Sequence, residues 1–218
     1  MTRQTKASAV VLISGSGSNL QAFIDQIEAG ELNIEITKVI SNNPDAFGLE
    51  RAKKANIQTA VINHRDYDSR ELFDQALMDC IDQSEPEIII LAGFMRILTT
   101  EFVEHYEHRL INIHPSLLPK YPGTNTHQRV LDADEAWHGA SIHFVIPEVD
   151  AGPIILQGRL EIKQDDTAST LQQRIHKIEH KIYPLAVAWL ADHRLSVVEG
   201  QVLLDDEKSS EQLQTFDV

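Results

Sequence analysis

An amide and an imidazole stand two residues apart in the stretch Leu110-Ile-Asn-Ile-His-Pro-Ser-Leu-Leu-Pro-Lys-Tyr-Pro-Gly123. Leu110, Ile111 and Ile113 read as the end of a buried strand, and alternate strand positions share a face, so Asn112 and His114 point the same way. Pro115, Pro119 and Pro122 then stop regular pairing and stiffen the chain. Two hydrogen-bonding groups are thereby held at a strand's C-terminal mouth, where open α/β sheets take their ligands. Taken alone, an Asn-x-His of this kind reads first as a satisfied histidine at a strand end, and it is the surroundings that favour chemistry. A carboxylate stands in Pro147-Glu-Val-Asp-Ala-Gly-Pro153, where Asp150 joins two apolar strands. By composition it is a turn residue, although the flanking strands could present it towards the sheet's mouth.

Two further stretches carry candidate chemistry. Ser14-Gly-Ser-Gly-Ser-Asn19 joins the apolar run Ala9–Ile13 to a segment with Leu20, Phe23, Ile24 and Ile27 at helical spacing. This is a strand-to-helix turn with Ser18 or Asn19 as N-cap, and its glycines and unpaired helix N–H groups suit a phosphate. The pattern is neither G-x-G-x-x-G nor Walker A, so a turn without a ligand is the competing reading. His176-Lys-Ile-Glu-His180 spells H-x-x-E-H, which on a helix puts His176 and His180 on one face with Glu179 nearby, as in a zinc hydrolase. Such matches arise easily in a chain with ten histidines, and no downstream spacing supplies a third ligand. Lining the end of the helix that faces the Gly/Ser turn is the alternative role.

The elements that must position these groups alternate along the chain. Strands are predicted at Ile34–Ile40, Gln58–Ile62, Glu87–Gly93, Ala140–Ile146 and Ile154–Leu160; helices at Phe47–Ala55, Asp68–Ser84, Thr99–His108, Thr126–Asp132 and Thr167–Leu190. The alternation implies an α/β fold, an open, mostly parallel twisted sheet with helices on both faces. Leu72, Phe73, Ala76, Leu77, Cys80 and Ile81 mark the buried face of the Asp68–Ser84 helix, and Pro184 should kink the last helix. A short C-terminal hairpin follows at 197–204, then an acidic tail, 205–218, expected to be disordered. Arg70 sits at a helix start, where a cation opposes the dipole, so it either grips an anion or is a solvated surface arginine. Met95-Arg96-Ile97-Leu98 follows a central strand, and its apolar residues either line a flat ring or pack the next helix start.

The totals narrow the classes. With 218 residues, 42% hydrophobic, the chain can bury the core of a single domain, expected over 8–204. Nineteen basic against thirty-three acidic residues, a net charge of -14, exclude a broad phosphate-backbone surface and hence a general nucleic-acid binder. One cysteine, Cys80, leaves no internal disulfide framework and fits a reducing cytosol. Neither a membrane-spanning run nor a signal peptide is legible, so a cytoplasmic protein acting on small molecules is expected.

Asn112-Ile-His114 with Pro115-Ser-Leu-Leu-Pro119, joined to Asp150 in a Val-Asp-Ala-Gly loop, resembles the folate-dependent formyltransferase family. Ile13-Ser-Gly-Ser-Gly-Ser-Asn-Leu-Gln-Ala22, Ala46-Phe-Gly-Leu-Glu-Arg51, Leu91-Ala-Gly-Phe-Met-Arg-Ile-Leu98 and Glu179-His-Lys-Ile-Tyr-Pro184 are similar to its branch that formylates glycinamide ribonucleotide in purine synthesis. The likeness runs in order from about Val10 to Ala191. It implies a Rossmann-like domain with a phosphate-binding N-terminal half and a folate-binding C-terminal half. It further implies a monomer or homodimer that uses 10-formyltetrahydrofolate as co-substrate and no metal. Another 10-formyltetrahydrofolate enzyme of the family is the nearest alternative.

By the same resemblance Asn112, His114 and Asp150 are catalytic. Gly17, Ser18 and Asn19 receive the ribonucleotide's phosphate, and His176, Lys177, Ile178 and Glu179 the rest of it, Glu179 accepting from the ribose hydroxyls. Arg70, Met95, Arg96, Ile97, Leu98, Asn112, Ile146, Pro147, Glu148, Val149 and Asp150 line the folate pocket. The chemistry suits these types: when the substrate amine attacks the formyl carbon, the carbonyl oxygen becomes an oxyanion that Asn112 and His114 can donate to. His114 serves best as imidazolium, a form that a carboxylate at Asp150 favours, and the two with an ordered water would relay the amine's proton to the leaving nitrogen.

Overall fold

A computed structural model describes residues 6–208 and 212–218. The chain gathers into two compact units, Met1–Ile111 and Asn112–Val218.

The first unit is built by strand-helix repetition. β1 (Ala7–Ile13) pairs in parallel with β2 (Ile34–Ser41) and β4 (Ile88–Leu91), and β2 with β3 (Gln58–Val61), giving the order β3-β2-β1-β4. Ala9 to Ile13 are fully buried, as a central strand covered on both faces requires. Between the strands run α1 (Ser18–Glu28), α2 (Phe47–Lys54) and α3 (Arg70–Asp82), and α4 (Thr100–His105) leads into β5 (Leu110–His114). The Ile89 amide donates to the Arg109 carbonyl where β5 begins.

Two expectations fail here. α1 is capped by Gly17 in the left-handed region, φ 68, and not by Ser18 or Asn19, because α2 packs too close for a side chain at that position. On α3 the buried stripe is Phe73, Asp74, Leu77, Met78 and Ile81, while Leu72 is 56% exposed and Cys80 half-buried. Ser69 accepts from the Leu72 amide and starts the helix later than Asp68, and the apolar face is turned by one residue, which brings a carboxylate inside.

In the second unit β6 (Trp137–Phe144) and β7 (Ile154–Glu161) pair antiparallel, joined by the loop that carries Asp150. α5 (Thr126–Asp132) precedes them and α6 (Ala168–Ala191) follows. α6 is set by a Thr167 capping box and runs on through Pro184. It packs so closely on β7 that a Cβ at Gly158 would collide with Ile178. β8 (Leu195–Val198) and β9 (Gln201–Leu204) form the expected hairpin, turning at Glu199 and Gly200, both at positive φ. Of the tail expected to be disordered, residues 209–211 lie outside the described residues, while β10 (Leu213–Thr215) adds in parallel to β7 and the Phe216 amide donates to the Arg159 carbonyl. The fold class is nonetheless the one read from the sequence, α/β with a mostly parallel sheet and a small C-terminal hairpin.

Candidate active site

β5 carries Asn112 and His114 on one face, as period two requires, and His114 is 5% exposed. His114 Nε2 donates to the Tyr121 carbonyl, 2.9 Å, so Nδ1 is the nitrogen that faces Asp150 Oδ2, at 3.4 Å. A carbonyl only accepts, which fixes the neutral tautomer: Nδ1 then shows the carboxylate a lone pair, and in the imidazolium an N–H. Asp150 is half-buried in a left-handed turn, φ 55, its side chain 10% exposed, and its Oδ2 also accepts the Gly123 amide, 2.8 Å. Gly152 lets the loop pass tightly over the end of β6, since a Cβ there would collide with the Phe144 carbonyl.

A second histidine completes this group. His143, on β6, is 2% exposed; its Nδ1 donates to the Phe144 carbonyl, 2.8 Å, and its Nε2 accepts from Asn112 Nδ2, 3.2 Å. Burial pushes its pKa down, against the pull of the Phe144 carbonyl and of Asp150, whose Oδ1 lies 3.9 Å away. A neutral His143 therefore orients the Asn112 amide and leaves the second amide N–H for another acceptor. Behind them Ser141 Oγ accepts the Leu118 amide and donates to the Ser116 carbonyl, tying the turn after His114 to β6.

In the first unit the Gly/Ser turn is shaped by α2. The Gly48 amide donates to the Gly15 carbonyl, 3.0 Å, and a Cβ on Gly17 would lie 2.6 Å from Gly48 Cα. Arg51 Nε donates to the Ser16 carbonyl and its Nη1 to Gln21, clamping the turn from behind. Gly17 offers no capping side chain to α1, whose first turn holds Ser18 and Asn19, and a helix N-terminus reached through a glycine turn suits an anion. The Met95–Leu98 loop is pinned at both ends: the Met95 amide donates to Ser14 Oγ, 2.7 Å, and the Thr99 amide to Asp74 Oδ2, 2.6 Å. Between the pins Met95 and Ile97 are 74% and 57% exposed, and Leu98 is buried. Arg70 and Arg96 are exposed and both act on Asp74; burial still pushes that carboxyl's pKa up overall.

The family described as Formyl transferase matches residues 7–187. The chain belongs to this family. Phosphoribosylglycinamide formyltransferase of Escherichia coli (strain K12) is 48% identical over 199 residues, 91% of this chain and 94% of that protein. The Haemophilus influenzae protein of the same name is 42% identical over 195 residues, 89% of this chain and 92% of its own. Among solved structures, phosphoribosylglycinamide formyltransferase of Coxiella burnetii in complex with CHES superposes with a TM-score of 0.91 at 50% identity, over 97% of this chain and 100% of that one.

Within this formyl transferase, Ile146, Pro147, Glu148 and Val149 lead up to Asp150 on the β6–β7 loop, Ile146 half-buried and the other three exposed. His176, Lys177, Ile178 and Glu179 occupy one turn of α6, with Ile178 and Glu179 buried and Lys177 exposed. The zinc reading gains nothing: among the described residues no three His, Cys, Asp or Glu side chains are arranged around a metal position, and the His176 and His180 rings stack, centroids 6.3 Å apart. The sequence reading missed His143, Ser14, Arg51 and Asp74. His143 had one weak signal, a polar residue alternating with apolar ones along β6; the others are placed only by contacts made far along the chain.

Proposed function

We propose that this formyl transferase moves the formyl group of 10-formyltetrahydrofolate to the amine of N1-(5-phospho-β-D-ribosyl)glycinamide, giving the N-formyl product and tetrahydrofolate in purine synthesis. The observation that carries the reading is the largely enclosed His114–Asp150 pair beside Asn112, two donors and a carboxylate matched to a carbonyl oxygen that gains charge. The close relatives that bear the name of this activity support it.

In this reading one domain over 8–204 works in the cytoplasm, as a monomer or homodimer. Its N-terminal half takes the ribonucleotide phosphate at Gly17, Ser18 and Asn19, with His176 to Glu179 on the rest of that substrate. Arg70, the Met95–Leu98 loop and the Ile146–Asp150 loop take the folate. The substrate amine attacks the formyl carbon, and Asn112 and the His114 Nε2–H stabilise the oxyanion; the latter exchanges its bond to the Tyr121 carbonyl for one to the substrate. Asp150 holds the imidazolium through Nδ1 and, with water, passes the proton of the attacking nitrogen to the leaving nitrogen. The tetrahedral adduct then breaks at the bond to the folate.

The test supplies purified protein with both substrates and follows donor loss together with N-formyl product. Equal amounts, strictly dependent on the acceptor, are expected. Donor loss that releases formate without the acceptor would assign the chain to hydrolysis instead.

A further inference from the structure

Two backbone groups of one short turn in the second unit meet both His114 and Asp150. The Tyr121 carbonyl accepts from His114 Nε2, 2.9 Å, and the Gly123 amide donates to Asp150 Oδ2, 2.8 Å. The turn departs from ordinary backbone, with Tyr121, Gly123 and Asn125 at φ 57, 79 and 57. A left-handed tyrosine persists only where its surroundings over-determine it. Burial does not supply that constraint, since residues 122–125 are exposed and Tyr121 is half-buried.

Polar anchors supply it instead. Arg129, on α5, donates through Nη1 to the carbonyls of Pro122, 2.6 Å, and Thr124, 3.2 Å, and its guanidinium lies over the Tyr121 ring, 5.3 Å from the centroid. Glu135, between α5 and β6, accepts from the Tyr121 hydroxyl, 2.9 Å, and from Lys120 Nζ, 2.7 Å. The turn is thus gripped from two sides, by a fork on its carbonyls and by a carboxylate on its side chains. That grip bears on the tautomer of His114. The imidazole stands between two acceptors, the Tyr121 carbonyl at Nε2 and Asp150 at Nδ1, and when neutral it has one N–H for both. With the carbonyl in place the N–H stays at Nε2, the nitrogen that is to meet the oxyanion. With the carbonyl displaced, the carboxylate draws the N–H to Nδ1 and a lone pair is left facing the formyl oxygen.

We propose that Arg129 and Glu135 are positioning residues for formyl transfer, acting through the 121–123 turn on His114 and Asp150. The inference rests on the catalytic reading of those two side chains. Arg129 and Glu135 act at one remove from the reacting atoms, so they govern turnover and not the affinity for either substrate.

The test compares wild type with Arg129→Ala, Arg129→Lys and Glu135→Gln by steady-state kinetics, by the ring-nitrogen chemical shifts of His114 in the substrate-free enzyme, and by thermal unfolding. Arg129→Ala is expected to lower kcat about tenfold, to leave both KM values within about twofold of wild type, and to move hydrogen on His114 from Nε2 to Nδ1. Arg129→Lys keeps the charge without the planar fork and should restore neither property. Glu135→Gln keeps an acceptor for the Tyr121 hydroxyl and loses the ion pair with Lys120, so a smaller loss of the same kind is expected. Wild-type turnover in Arg129→Ala, a lower kcat with the His114 tautomer unmoved, or full recovery in Arg129→Lys would overturn the proposal. Should Arg129→Ala not fold, Glu135→Gln decides by the same two readouts. A wild type that transfers no formyl group would sink the catalytic reading, while the His114 tautomer in the variants would still report on the turn.

Discussion

Asp150 meets the Gly123 amide, the imidazole of His114 and, more distantly, that of His143. Removing its charge leaves the shape and takes away the partner that holds an imidazolium. Asp150→Asn and His114→Ala should each lower kcat by about 10²- to 10⁴-fold with both substrates still bound, as read by steady-state kinetics beside calorimetry. His143 acts one step further back. His143→Leu removes the acceptor for the Asn112 amide, and a loss of about tenfold in kcat, larger than any change in KM, is expected. Strand alternation put Asn112 and His114 on one face in the sequence, whereas Asp150, a turn residue by composition, was joined to them only through the family resemblance. His143 was not legible, since its partner is 31 positions away and nothing local distinguishes it from any polar residue of a sheet.

At the scale of elements, two glycines decide where backbone can pass. Gly17 combines a left-handed φ of 68 with a neighbour, Gly48 Cα, that a Cβ would approach to 2.6 Å. Gly17→Ala should cost about 1–3 kcal/mol of stability and raise KM for the phosphate-bearing substrate while leaving donor KM near wild type. Gly152→Ala drives the loop off the end of β6 and with it Asp150, so its defect should fall on kcat. Thermal unfolding beside kinetics distinguishes both from general misfolding. The order of strands and helices was readable because buried strands appear as continuous apolar runs and helices as periodic ones. The α1 cap and the face of α3 were misread for one reason: each is settled by the close approach of another segment, and local patterns do not record it. The strand β10 belongs to the same class.

For the molecule as a whole, a histidine pair, His138 buried and His127 half-buried, contributes to the response to acid. His127 Nδ1 lies 2.9 Å from His138 Nε2, and chiefly through burial their pKa values are pushed down to about 4 and about 3. An unfolded histidine takes up a proton near pH 6.5. Between about pH 6.5 and about pH 3 the unfolded chain therefore binds more protons than the folded one, so stability falls as pH is lowered and is unaffected above pH 7. The unfolding midpoint should drop steadily from pH 7 to pH 4, with a shallower slope in His138→Gln; parallel slopes would show that the pair is not responsible. The central claim, that His114, Asp150 and Asn112 transfer a formyl group directly between two small molecules, is met most directly by a single-turnover experiment with an isotopically labelled formyl donor. In wild type the label should appear wholly on the acceptor nitrogen, and in Asp150→Asn, with both substrates bound, it should stay on the donor. Label recovered as free formate in wild type, or transferred at an undiminished rate by Asp150→Asn, would contradict the account.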